Sequence, residues 1–203
     1  MPQILAAPTP ELAETLLSRS GALASGHFLL SSGLHGARYF QCARLTESPA
    51  ETEAVARAVA ERCAGLGATT VLAPALGAIT WGHELARALG LRSVFAERPD
   101  GAFELRRGFA LSPGERVLLA ENVVTTGVSV LETAALVRRL GAVVAGYAVI
   151  VDRSGGAFAP DEPVIAYAAL NAPALPADRC PLCADGQALT KPGSRVVFPP
   201  TKT

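Results

Sequence analysis

Four short runs, Thr69–Ala73, Arg92–Ala96, Arg116–Ala120 and Ala142–Val151, are rich in apolar and β-branched residues, and stretches of helical spacing separate them. Within a run the apolar residues do not alternate with polar ones, so neither face of such a strand can be left in water. Strands that are apolar on both sides and alternate with helices pack as a mostly parallel sheet with a helical layer on each face. The fold class is therefore α/β, with a central sheet flanked by helices.

The helical stretches carry their own punctuation. Pro10–Ser20 places Leu12, Leu16 and Leu17 at helical spacing and stops at Gly21. Ser48-Pro-Ala-Glu51 has the pattern of a capping box with proline at the first helical position, opening a helix that runs through Val55, Ala58, Val59 and Arg62 to Gly65 or Gly67. Gly82–Leu89 and Ser129–Leu140 follow the same period, the second with Leu131, Ala135 and Leu136 on one face. From Pro160 onward the chain is proline-rich and aperiodic, which predicts strand and loop laid over the surface. With 203 residues, half of them hydrophobic, the chain has ample material for one core and reads as a single domain over 1–203.

Charge narrows the choice of partner. The 18 basic and 18 acidic side chains cancel, so the chain as a whole offers no electrostatic footprint for a nucleic-acid backbone or an anionic membrane surface. A small molecule is the expected ligand. No apolar run approaches the ~20 residues of a membrane span, and MPQILAAPTPE lacks the basic-then-apolar pattern of a secretory signal. Four cysteines, Cys42, Cys63, Cys180 and Cys183, do not make a disulfide framework in a chain of this size. These features together predict a cytoplasmic location.

Ligands of open α/β sheets sit beyond the carboxyl ends of the strands. There the stretch VLLAENVVTTGVS, residues 117–129, turns from apolar to polar. The pattern predicts a strand ending at Ala120, with Glu121 and Asn122 emerging from it and Val123–Gly127 looping into the next helix. Successive N–H groups of Thr125-Thr-Gly-Val-Ser129, with their hydroxyls, can hold a phosphate at that helix N-terminus, and Gly127 lets the backbone come close. An acid just before such a nest repels phosphate, so its duty is to accept hydrogen bonds from neutral hydroxyls of the same ligand. A sugar phosphate has both groups. The same residues also suit a simple N-cap preceded by a solvated acid.

An apolar strand ending in two polar residues, two hydrophobic residues and Thr-Thr-Gly-x-Ser resembles the 5-phosphoribosyl 1-pyrophosphate motif of type I phosphoribosyltransferases. Four more segments, GHFLLSSGLHGARYFQ (26–41), PALGAITWGHELARALG (74–90), FAERPDGAFELRRGF (95–109) and VDRSGG (151–156), resemble in the same order those of the orotate phosphoribosyltransferases. The resemblance covers about residues 20 to 195. It implies a twisted, mostly parallel sheet with a mobile hood, residues 1–45 and 157–203 forming hood and dimer contacts around a core of 46–156. It also implies a homodimer that uses Mg²⁺, joins orotate N1 to the donor ribose, and makes orotidine 5′-monophosphate and pyrophosphate for pyrimidine biosynthesis.

The resemblance assigns roles by position. Glu121 and Asn122 take the ribose hydroxyls, and Val123, Val124, Thr125, Thr126, Gly127, Val128 and Ser129 hold the 5′-phosphate. Ala75, Leu76 and Gly77 belong to the pyrophosphate loop. Arg153 takes the orotate carboxylate, for which a guanidinium fork is suited, and Thr125 also meets the base. From the hood, Arg98, Arg106 and Arg107 are the candidate partners of pyrophosphate, with Arg98 and Arg106 counted beside Glu121 and Asn122 as catalytic. By itself the hood segment reads as a β-hairpin turning at Pro99-Asp-Gly101, and Arg153 also reads as a surface arginine paired with Asp152.

Some positions depart from the family pattern. Asn122 stands where aspartate is commoner and Val128 where glycine often stands, and the segment 95–109 has neither the lysine nor the histidine usual in the hood. An amide is a neutral acceptor, so the ribose hydrogen bond falls from about 1.5–3 kcal/mol to about 0.5–1.5, roughly a tenfold weaker hold. Restoring aspartate is then expected to raise the rate. Two further readings stay open: a regulator that binds the donor without turnover, and an enzyme for another base, which would give Arg153 no carboxylate to bind.

Cys180-Pro-Leu-Cys183 has the spacing of half a zinc knuckle, but tetrahedral zinc needs two more ligands and the nearest other histidine or cysteine in sequence is His83. The pattern therefore predicts no metal ligands, with a surface turn of reduced thiols in preference to an ion shared with Cys42, Cys63 or a second subunit. Of the histidines, His35 lies where it could reach substrate, His83 reads as a packing residue, and His27 has no assigned role.

Overall fold

The computed structural model describes residues 8–30 and 32–192. Its elements follow in the order α1 (Pro10–Arg19), β1 (Leu23–Leu29), β2 (His35–Phe40), α2 (Ala43–Thr46), α3 (Pro49–Cys63), β3 (Thr70–Pro74), α4 (Ile79–Leu89), β4 (Arg92–Glu97), β5 (Glu104–Leu105), β6 (Arg116–Val124), α5 (Val128–Arg139), β7 (Val143–Asp152), β8 (Val164–Ala169), β9 (Ala174–Leu175) and α6 (Pro181–Ala184). The main sheet has the strand order β5-β4-β3-β6-β7-β8. All its pairs are parallel except the edge strand β5, which runs antiparallel to β4.

The two-sided burial expected of the strands is what separates the core into two clusters. Val71, Ala73, Leu118, Ala120, Ala148 and Ile150 point to one face, where α1, α3 and α4 cover them. Their neighbours Leu72, Val117, Leu119, Tyr147 and Val149 point to the other, against α5 and the β4–β5 hairpin. Each valine, leucine or isoleucine so buried stabilises the fold by roughly 1.5–3 kcal/mol. Helix α4 lies so close to β3 that a Cβ on Gly82 would fall 2.7 Å from Ala73 Cβ. Trp81, one residue earlier, is fully buried and donates Nε1–H to the Ala148 carbonyl at 3.2 Å.

A second sheet, β1-β2-β9, is antiparallel and is built from both ends of the chain. Beyond it, the Leu29 N–H donates to the Thr190 carbonyl and the Thr190 N–H to the His27 carbonyl, each at 2.8 Å. The segment after Pro160 is therefore only partly a surface layer: its first part is β8 of the main sheet, with Ile165, Tyr167 and Ala168 in the core, and its later part is pinned to the N-terminal hairpin. Among the described residues no helix is long and apolar enough to cross a membrane.

Several elements differ in detail from the sequence pattern. Ser48 is the N-cap of α3, with Pro49 at the first helical position, but its side chain makes no capping bond. Glu51 reaches across to Arg19 at 3.1 Å instead, so the capping box does not close. In α1 the buried residues are Ala13 and Leu17, and Leu12 is exposed. In α5 the inward face is Val130, Thr133, Ala134, Leu136 and Val137, while Leu131 and Ala135 face solvent. The strand β6 runs four residues past Ala120, because its ladder with β7 continues through Val123↔Val151 and Val124↔Asp152. Val123 and Val124 thus belong to the strand, and the loop begins at Thr125.

Candidate active site

Strand β6 delivers the chain to the carboxyl edge of the sheet, and three residues, Thr125, Thr126 and Gly127, turn it into α5. Gly127 is required twice over. Its φ is +75°, and a Cβ there would lie 2.2 Å from the Phe158 ring. The first intrahelical hydrogen bond is Leu131 N–H to the Gly127 carbonyl at 2.8 Å. Among the described residues, the N–H groups of Thr125 to Val130 donate to no protein acceptor. The first turn of α5 also carries no acidic side chain. Free N–H groups at the positive end of a helix dipole form an anion site.

These residues wall a cavity of about 360 Å³ that Leu30, Ser32, Tyr39, Glu121, Val123 and Arg153 complete. Next to it lies a second cavity of about 290 Å³, lined by Pro74, Ala75, Gly77, Ala78, Phe103, Glu121, Asn122, Val123 and Ser129. Glu121, Val123 and Ser129 belong to both. The half-buried Glu121 is the carboxylate on the shared wall, and burial pushes its carboxyl up to about 7 despite the Asn122 N–H donating to Oε1 at 2.9 Å. A charge there is costly until a ligand's hydroxyls or a cation offset it.

Asn122 is held differently from the open acceptor that its place in the motif implies. Its Nδ2 donates to the Gly77 carbonyl at 3.2 Å, and its Oδ1 accepts the Val123 N–H at 2.7 Å. Both polar atoms are engaged inside the chain, which leaves each with one further hydrogen-bonding position for a ribose hydroxyl. Across the second cavity, the loop between β3 and α4 commits the Ala75 N–H to the Ala96 carbonyl at 2.8 Å. The N–H groups of Leu76, Gly77 and Ala78 have no protein acceptor among the described residues. The Leu76 side chain, 84% exposed, lines neither cavity.

Arg153 follows β7, and its N–H donates to the Val124 carbonyl at 2.9 Å, which locks it to the end of β6. Its guanidinium sits 5.4 Å from the centre of the Phe40 ring and gives Nη2–H to the Ala172 carbonyl at 3.2 Å. Nε is buried without a partner, and burial lowers the pKa of the group. Asp152 does not pair with it: Oδ1 of Asp152 accepts the Ser154 N–H at 2.8 Å. A half-buried guanidinium with an unmatched N–H on a cavity wall suits a planar anion.

The hood segment forms the β4–β5 hairpin, and its arginines line neither cavity of their own chain. Arg98 pairs with Glu132 and stacks 4.3 Å from the Phe103 ring centre. Arg107 pairs with Glu97 at 2.8 Å, and among the described residues Arg106 makes no ion pair. Phe103 from the same hairpin does reach the second cavity. Leu30, Ser32 and Tyr39 were not singled out in the sequence, and polar residues beside Gly33 in a hairpin are the one cue that marked that turn as a site edge.

His35 is turned away from the cavity. It is buried against His27, with Cys180 and Cys183 beside the pair, so the four ligand atoms lie within 4.8 Å of one another. The sequence conceals this cluster because its halves stand about 150 residues apart and meet only when the segment after β9 folds back on β1.

The parallel sheet, the turn of free N–H groups on its carboxyl edge and the loop facing it are the arrangement of a phosphoribosyl transferase. The family model for the phosphoribosyl transferase domain matches residues 41–173, and the chain belongs to that family. Within it the chain is 48% identical over 185 residues to the orotate phosphoribosyltransferase of Pelotomaculum thermopropionicum, covering 90% of this chain and 96% of that one. The orotate phosphoribosyltransferase of Desulforamulus reducens is 43% identical over 182 residues, covering 90% and 95%. Among solved structures, the Mycobacterium tuberculosis orotate phosphoribosyltransferase in complex with inorganic phosphate superposes with a TM-score of 0.63 at 27% identity, covering 79% of this chain and 95% of that one.

Proposed function

We propose that the chain transfers the 5-phosphoribosyl group of 5-phosphoribosyl 1-pyrophosphate to N1 of orotate, giving orotidine 5′-monophosphate and pyrophosphate in pyrimidine biosynthesis. The observation that carries this reading is the pairing, in one cavity, of the uncommitted N–H groups at the start of α5 with the Arg153 guanidinium. The first hold the 5′-phosphate, with Thr125, Thr126 and Ser129 adding hydroxyls, and the second takes the carboxylate of the base, with Thr125 beside it. Glu121 lies between and accepts from the ribose hydroxyls. Its charge opposes the positive charge that grows on the ribose as the glycosidic bond breaks.

The loop of Ala75, Leu76 and Gly77 receives pyrophosphate on the free N–H groups of Leu76, Gly77 and Ala78, and the Asn122 amide holds that loop to β6. Mg²⁺ is held by one or two carboxylates together with substrate phosphates and water, a donor set that Glu121 fits, and when bound it neutralises charge on the departing pyrophosphate. The chain works as a homodimer, in which Arg98 and Arg106 of the β4–β5 hairpin serve the pyrophosphate of the neighbouring site and closure keeps water from the reacting carbon.

The test is to incubate purified protein with donor, Mg²⁺ and orotate and to follow the loss of orotate absorbance. Turnover that disappears in Arg153→Ala supports the reading. Tight binding of the donor with no turnover on any base would sink it.

A further inference from the structure

We propose that His27, His35, Cys180 and Cys183 form a structural zinc site that fastens the C-terminal segment to the β1–β2 hairpin. Nothing in the phosphoribosyl transfer uses these residues. The site is built from two distant parts of the chain. His27 lies on β1 and His35 opens β2, while Cys180 caps α6 and Cys183 lies in its single turn.

The distances fit the edges of a coordination tetrahedron. Zinc bonded to nitrogen at ~2.0–2.1 Å and to sulfur at ~2.3 Å in tetrahedral geometry sets N···N near ~3.3 Å and N···S near ~3.5 Å. Here His27 Nε2 and His35 Nδ1 are 2.9 Å apart. Cys180 Sγ and Cys183 Sγ lie 3.5 and 3.6 Å from His27 Nε2, and Cys183 Sγ lies 3.2 Å from His35 Nδ1. All four ligand atoms lie within 4.8 Å of one another, so shifts of up to about an ångström bring them to the bond lengths of an ion at their centre.

Hydrogen bonding alone does not satisfy the cluster. His27 Nδ1 is 2.8 Å from the Gln187 carbonyl, which can only accept, so Nδ1 carries a proton and the neutral ring presents a single lone pair at Nε2. Three groups converge on that lone pair, His35 Nδ1 and both sulfurs. That lone pair can accept from only one of them, whereas a cation is served by all four atoms. The Gln187 carbonyl also supplies what a metal-bound histidine requires, an acceptor for its other N–H that fixes tautomer and ring orientation.

Charge and ligand type select the metal. Two thiolates and two neutral imidazoles around a divalent ion sum to zero, which suits a place where His27, His35 and Cys180 are buried. Four protein ligands of mixed sulfur and nitrogen type close the shell, the mark of a structural zinc site. What the ion would secure follows from the fold. The hairpin it holds carries Leu30, Ser32 and Tyr39 to the phosphate cavity, and β9, bonded to β2 at His35↔Leu175, leads directly into the segment bearing the cysteines.

The experiment measures metal content, which does not depend on turnover. Full-length protein is prepared under reducing conditions with zinc present, and metals are quantified per chain. One zinc per chain is expected, and replacement by cobalt(II) should give thiolate-to-cobalt charge transfer and the intense visible bands of tetrahedral geometry. Removing zinc should lower the melting temperature by roughly 5–10 °C, restored on adding zinc alone. Cys183→Ser, at the exposed corner, should weaken zinc at least about 100-fold and remove part of the sulfur charge-transfer intensity. Protein that stays metal-free after dialysis against zinc overturns the proposal. So does a Cys180–Cys183 disulfide under these conditions, iron in place of zinc, or zinc retained unchanged in Cys183→Ser. The cobalt spectrum of the unaltered chain decides the matter if the variant does not fold.

Discussion

The Asn122 side chain spans two walls of the cavity between β6 and the β3–α4 loop, giving Nδ2–H to the Gly77 carbonyl at 3.2 Å while Oδ1 accepts the Val123 N–H at 2.7 Å. Aspartate would keep the second bond, lose the first, and set an anion against a carbonyl. Asn122→Asp is therefore expected to destabilise the ligand-free protein by about 1 kcal/mol, the worth of a neutral hydrogen bond. At this chain length that is a fall of about 2–4 °C in melting temperature, measurable by calorimetry. An unchanged melting temperature together with faster turnover would mean that the position serves the ribose and not the loop.

Glu121 exchanges stability for function, and pH separates the two. Its folded pKa, raised by burial to about 7, stands above the ordinary carboxylate value near 4.5. Between those two values the folded chain keeps a proton that the unfolded chain has lost. Stability from this group is thus full below about pH 4.5, declines as pH rises through 7, and is lost above, with a cost of up to about 3 kcal/mol. Glu121→Gln should therefore melt higher than the unaltered protein at pH 8, with a smaller gap at pH 5.5. With Glu121 accepting from the ribose hydroxyls as proposed, turnover would need its charged form, and donor kcat/KM of the unaltered chain should fall below an apparent pKa of about 7. A melting difference independent of pH would count against burial as the cause.

Much of this architecture was legible in the chain. The runs that became β3 and β7 announce themselves because both of their faces are buried, whereas β4 buries only the Val94 and Ala96 face, and Pro49 marks the start of α3 because only the first helical turn tolerates its missing N–H. The end of β6 was not legible. Glu121 and Asn122 look like a strand terminus, yet pairing with β7 carries the backbone on to Val124, and tertiary pairing outweighs side-chain polarity. The inward face of α5 was misjudged for a similar reason: Leu131 fits the helical period, but the orientation is set by the sheet beneath, which takes Val130, Ala134 and Val137. The meeting of His27 and His35 with Cys180 and Cys183 depends on a contact across nearly the whole chain, for which local spacing holds no signal.

Gly127 tests the nest itself. Alanine there must hold a φ of +75° and place its Cβ 2.2 Å from the Phe158 ring, so the turn or the ring has to move. The left-handed backbone costs about 1 kcal/mol or more, and overpacking adds about 1–3. Gly127→Ala should lower the melting temperature by at least about 4 °C and weaken donor binding at least tenfold, read by isothermal calorimetry without orotate. Donor affinity within twofold of the unaltered protein would show that the phosphate does not rest on this turn.

Arg153 tests the identity of the base. Its Nη2 is tied to Ala172 and its backbone is locked to Val124, so the side chain is held in place before any ligand arrives. Charged hydrogen bonds to a carboxylate are worth about 1.5–3 kcal/mol each, so Arg153→Ala should reduce kcat/KM for orotate by at least about 10- to 100-fold. The donor is held elsewhere, and its affinity should stay within a few-fold. Arg153→Lys should rescue little, because an ammonium cannot present two parallel N–H bonds from this position. Uracil, which lacks the carboxylate, should be a poor substrate of the unaltered chain and should lose nothing further in Arg153→Ala. If the variant instead lost orotate and uracil turnover alike, the guanidinium would be supporting the ends of β6 and β7 and not selecting the base.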